Sequence, residues 1–133
     1  MRGWTAFAAV LILVPGTITG VSAASAQEVL ASGTFTGRGG HRSTGGVEIV
    51  RDGDTVKVLI KSNFFLQPAP AARLAWGKDG YKAGTIFATL RKFRGEQEYV
   101  VPATVAIDQF NEFWIWCEKF NSPLAVAKLK SPQ

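Results

Sequence analysis

A chain of 133 residues with 15 basic and 10 acidic side chains, one cysteine and one histidine has a narrow chemical repertoire. A lone thiol forms no internal disulfide, and one cysteine with one histidine leaves a zinc site short of ligands. The net charge of +5 is scattered along the chain, and its densest group, Arg91-Lys92-Phe93-Arg94, reads as a solvated loop; no nucleic-acid partner is expected.

The first segment reads as an export signal. Arg2 supplies a minimal positive start, Trp4 to Val14 is an uncharged apolar run, and Ala24-Ser25-Ala26 is a small-residue cleavage site before Gln27. Pro15 and Gly16 interrupt the run before the roughly 20 apolar residues that a membrane-spanning helix requires. The expected organisation is a signal peptide over 1–26 and one β domain over 27–133, exported to the periplasm or secreted, without a membrane span and monomeric.

From Glu28 onward the pattern is one of short apolar runs broken by turn residues. Glu28 to Thr36 alternates, and Gly37 to Gly46 is rich in glycine and polar residues. Val47 to Val50 and Thr55 to Lys61 flank Asp52-Gly53, a hairpin signal because glycine accepts the positive φ of a tight turn. Asn63 to Ala72 carries Pro68 and Pro70, which read as an ordered loop anchored by Phe64 and Phe65. Further strands are expected at Arg73 to Trp76, Thr85 to Leu90, Gln97 to Val101, Phe113 to Phe120 and Leu124 to Leu129. About eight to ten short strands make an all-β fold, an antiparallel β-sandwich or barrel.

The stretch Phe113-Trp-Ile-Trp-Cys-Glu-Lys-Phe120 holds the single cysteine, Cys117. In an extended chain Phe113, Ile115 and Cys117 share one face and Trp114, Trp116 and Glu118 the other. Both faces are largely apolar, as in a central strand covered on both sides. Cys117 is then a buried inert residue, an intermolecular bridge or a reactive group.

Other constellations carry less. Gly40 and Gly45 have phosphate-loop spacing, but Gly46-Val47 stands where that loop needs a lysine and a hydroxyl residue. His41 is the sole imidazole available as a ligand or base, and nothing in the sequence brings it to Cys117. The Cys-x-x-Cys-His motif of covalent haem attachment is absent, which leaves a noncovalent haem on a Cys117 thiolate as the chemically open form. No carboxylate pair is singled out, so hydrolase chemistry has no support.

Several blocks in order resemble the DM-thirteen domain family, the electron transfer DM domain. They are Gly33-Thr34-Phe35 with His41 and Gly45-Gly46-Val47; Phe64-Phe65 with Ala69-Pro70; Phe93-Arg94-Gly95-Glu96-Gln97 with Tyr99-Val100-Val101-Pro102; and Ile115-Trp116-Cys117 with Phe120, Ala127 and Leu129. The resemblance implies an all-β extracytoplasmic domain whose characteristic cysteine maps to Cys117 and works in redox chemistry, as a bare thiol or by holding a group such as haem. The chain departs after Pro70, where Ala71-Ala72 replaces an acidic residue frequent in the family.

Two readings follow. In the first, Cys117 is the centre of a redox or electron-transfer role, with Trp116 and His41 as candidate cofactor contacts and Trp114 and Phe120 shaping the surroundings. In the second, the chain is a non-enzymatic binding module with a structural cysteine, and its contact surfaces are the Phe64-Phe65-Leu66 loop and the basic loop; the sequence leaves open whether Phe64 and Phe65 are exposed or core.

Overall fold

The structure, a computed structural model, describes residues 9–17 and 27–132. Arg2, Trp4 and the expected cleavage residues Ala24 to Ala26 lie outside them. The apolar side chains from Val10 to Val14 are all at least 77% exposed and take no part in the core.

Among the described residues ten strands form, all paired antiparallel: β1 (Glu28–Gly37), β2 (Ser43–Thr44), β3 (Gly46–Asp52), β4 (Thr55–Ile60), β5 (Phe65–Leu66), β6 (Ala72–Gly77), β7 (Ala88–Thr89), β8 (Gln97–Val101), β9 (Glu112–Cys117) and β10 (Ser122–Lys128). Eight of them make one sheet in the order β7-β6-β9-β10-β1-β3-β4-β8, and β2 pairs with β5 separately. Among the described residues the only helical turn is a 3-10 turn at Ile107–Gln109.

The long first strand turns this sheet into a nearly closed barrel. Residues 28–34 of β1 pair with β3, whereas 35–37 pair with β10, so one strand serves both halves. At the crossing, a side chain on Gly33 would collide with the Lys128 carbonyl, which explains a glycine there. The remaining seam, between β7 and β8, is joined by side chains. The Arg91 amide donates to the Tyr99 hydroxyl at 2.9 Å, and Gln97 exchanges two hydrogen bonds with the Lys92 backbone.

Alternation fills the interior. Val47 and Ile49, Val58 and Ile60, Leu74 and Trp76, Tyr99 and Val101, and Phe113, Ile115 and Cys117 all belong to one core cluster. The other face of β9 is covered too, since Trp114 packs with Ala75 and Val126 beneath Tyr81, Ile86 and Trp116. The expected hairpin forms between β3 and β4, with Gly53 at a φ of 63°.

One end of the barrel is plugged by the segment between β4 and β6. Phe64 and Leu66 from it are 1% and 0% exposed, and Phe64 meets Phe35 edge-on at 5.2 Å. This decides between the core and contact-surface roles that the sequence leaves open: the Phe64-Phe65-Leu66 loop is not a free contact surface. Phe64 and Leu66 belong to the core, and the half-buried Phe65 ring lies under the Arg94 guanidinium at 4.8 Å. Prolines keep the segment out of the main sheet, and its apolar side chains turn inward because burial of each contributes about 1.5–3 kcal/mol.

Candidate functional site

Cys117 ends β9, where it pairs with Ala72 on β6 and Ser122 on β10. Both neighbours are small, which leaves room for the sulfur inside the sheet. The residue is 2% exposed, and its thiol donates to the Pro70 carbonyl at 3.2 Å. The Glu118 amide donates to the Ala71 carbonyl at 3.0 Å, so Pro70-Ala71 is fastened across the end of β9 by two adjacent bonds.

This cover is thin. Pro68 and Pro70 are exposed, and Ala71 holds a φ of 51°, a left-handed conformation that costs an alanine about 1–2 kcal/mol. The sulfur, a member of the core cluster, is thus hydrogen-bonded to a strained stretch of chain whose prolines are exposed. Attack by a thiol requires access and an ionised sulfur; in this closed arrangement access is missing.

The other sequence-derived candidates fall around Cys117 unevenly. The His41 loop reaches the same end of the barrel: Arg38 N–H donates to the Leu124 carbonyl at 2.9 Å, and Gln67 N–H to the Arg42 carbonyl at 2.8 Å. His41 is half-buried and its Nδ1 is covered without a hydrogen-bond partner, but no hydrogen bond joins it to Cys117. Trp116 points to the opposite face of the sheet. Its ring stacks on Tyr81 at 3.7 Å and its Nε1–H donates to Asn121 at 3.0 Å, so it does not share the sulfur's environment. Phe120, expected to shape that environment, instead stands 65% exposed in the turn after Cys117, with the Lys119 ammonium 5.4 Å from its ring.

The arrangement does not fit haem. A thiolate ligand needs an open face for the macrocycle, and this sulfur is closed in by Ala72, Ser122 and Pro70. A cavity of about 900 Å³ lies at the other end of the barrel, and its walls carry no cysteine, histidine, methionine or tyrosine. The potential ligands and the large cavity are at opposite ends. Among the described residues no group of three His, Cys, Asp or Glu side chains could hold a metal ion, and no helix is long and apolar enough to cross a membrane.

Two polar features escaped the sequence reading. Glu112 is 8% exposed, and its carboxylate accepts from the Gly80 amide at 2.5 Å and from Trp114 Nε1 at 3.3 Å, which ties the 78–87 excursion to β9. Tyr81 has its pKa raised above 10.0, first by burial and then by the neighbouring Glu118 carboxylate. An acid just ahead of an aromatic run was the visible signal for Glu112; Tyr81 had none.

The family model of electron transfer DM13 matches residues 34–129. The chain belongs to the DM13 family. The matched region of this DM13 chain spans the barrel from within β1 to the end of β10 and includes Cys117, the Pro70 segment and His41. No curated protein and no solved structure matches it.

Proposed function

We propose that this chain is an exported DM13 domain whose electron-transfer role runs through Cys117 as a masked thiol. The observation that carries the reading is the cover itself, in which the one sulfur is held by the Pro70 carbonyl beneath an exposed segment with a strained Ala71. Displacement of that segment brings the sulfur to the surface beside Phe120 and Lys119, an exposed apolar and basic pair suited to a partner. The redox step is thiol–disulfide exchange. The Cys117 proton goes to solvent, the thiolate attacks one sulfur of a partner's disulfide, a mixed disulfide forms, and the partner's second sulfur leaves as thiolate. The reading of export rests on the apolar run, whose described residues Val10 to Val14 stay outside the core.

The test is incubation of the native protein with oxidised glutathione, read by intact mass. The reading expects one glutathione adduct, absent in Cys117→Ser, while the circular dichroism stays native. An adduct that forms only once the protein unfolds would overturn it. The second reading, a binding module with a structural cysteine, is favoured by the 2% exposure of Cys117 and expects that outcome.

A further inference from the structure

The end of the barrel opposite Cys117 is open where the other is plugged. Its cavity of about 900 Å³ lies between β1, β3, β4 and β8 and the connection 102–111, within the range of small-molecule sites. Leu30, Ile49, Val56, Val101 and Phe110 supply much of an apolar wall, and Trp76 joins them from β6. Trp76 is 1% exposed, and its indole Nε1–H is buried with no hydrogen-bond partner. More than nine in ten buried polar groups are paired, so the orphaned donor of a side chain that lines a large cavity calls for an acceptor. The rim brings one cation, Arg51, and two carboxylates, Asp54 and Asp108, a balance that disfavours an anionic ligand.

We propose that this cavity binds a neutral, mainly apolar small molecule with a carbonyl oxygen that accepts the Trp76 indole N–H. The nitrogen is covered, so the carbonyl reaches it as the 102–111 connection yields. In that connection the 3-10 turn, Ile107–Gln109, fully buries no residue, and Val105, Ile107 and Phe110 rest only partly buried on the core. Phe87 stacks along the Trp76 ring at 5.6 Å and Phe113 meets it edge-on at 5.1 Å, which holds the indole in one orientation while the connection and its Phe110, stacked at 6.0 Å in the closed form, move aside. The site is independent of the thiol reading, since neither Cys117 nor His41 lines it.

The experiment is a titration of the 15N-labelled chain with 1-tetralone, and in parallel with tetralin, the same hydrocarbon frame without the carbonyl. The indole N–H resonances report binding. With tetralone the Trp76 signal, assigned by its loss in Trp76→Phe, moves downfield and saturates. Tetralone binds about tenfold more tightly than tetralin, and the preference falls to about twofold or less in Trp76→Phe. A second variant, Val56→Phe, pushes a ring into the cavity from its wall and weakens binding while the Trp76 resonance persists. Equal binding of the two compounds, an unmoved Trp76 signal at saturation, or undiminished binding in Val56→Phe would overturn the proposal. So would a Trp76 N–H already shifted upfield by the Phe113 ring and indifferent to tetralone, for the ring would then be its partner.

Discussion

Replacing Phe64 by alanine tests whether the β4–β6 segment is a plug or a surface. The ring is 1% exposed and packs edge-on against Phe35, so the truncation removes a full aromatic side chain from the core and leaves a void between β1 and the plug. Such substitutions cost about 3–5 kcal/mol, a large share of the roughly 5–15 kcal/mol that holds a typical domain folded. The neighbouring Phe65→Ala removes a half-buried ring whose main partner is the Arg94 guanidinium at 4.8 Å, worth about 1 kcal/mol. Guanidinium unfolding followed by tryptophan fluorescence measures both. The expected result is a midpoint drop several times larger for Phe64→Ala than for Phe65→Ala, with the slope unchanged. A Phe64→Ala loss below about 1 kcal/mol would refute the packing argument and return Phe64 to the role of a contact residue.

Two further outcomes follow from the outer face of β9. A side chain at Gly77 would collide with the Gly80 carbonyl and the Trp114 indole nitrogen, so Gly77→Ala should cost about 1–3 kcal/mol and displace the Trp114 N–H resonance from its Glu112-bonded position; an unchanged melting temperature would contradict this. Tyr81 has a folded pKa above its unfolded value, so its contribution to stability is complete below about pH 10 and is lost as pH rises through the folded pKa. Denaturation midpoints should therefore fall more steeply above pH 10 in the wild type than in Tyr81→Phe, and Glu118→Gln should lessen the fall. Parallel profiles for wild type and Tyr81→Phe would remove Tyr81 from the account.

Much of the sheet was legible because period-two alternation survives burial. The two faces of β9 separate as the alternation of Phe113 to Glu118 predicts, and Asp52-Gly53 turns the β3–β4 hairpin. The expected strand from Thr85 to Leu90 shrinks to Ala88–Thr89, since the Thr85 hydroxyl bonds the Trp76 and Lys82 carbonyls and holds that stretch as a turn. The site was legible only as a residue. Cys117 stood out by composition, but its partner is a main-chain carbonyl 47 positions earlier, brought over by the β6–β9 pairing, and no side-chain pattern encodes that. For the same reason the Trp76 orphan was invisible, because an indole shows its missing acceptor only once the packing around it is known.

The most direct measurement is the rate at which the Cys117 thiol reacts with an aromatic disulfide reagent as guanidinium is raised from zero to below the unfolding midpoint. Opening the Pro70-Ala71 cover breaks two hydrogen bonds and wets one sulfur, about 3 kcal/mol in all, so the native thiol should react on the order of a hundredfold more slowly than the unfolded one. Because that opening exposes little surface, the rate should stay nearly flat at low denaturant. A rate that climbs from the first addition with the full slope of global unfolding would contradict the account and make Cys117 a structural core residue.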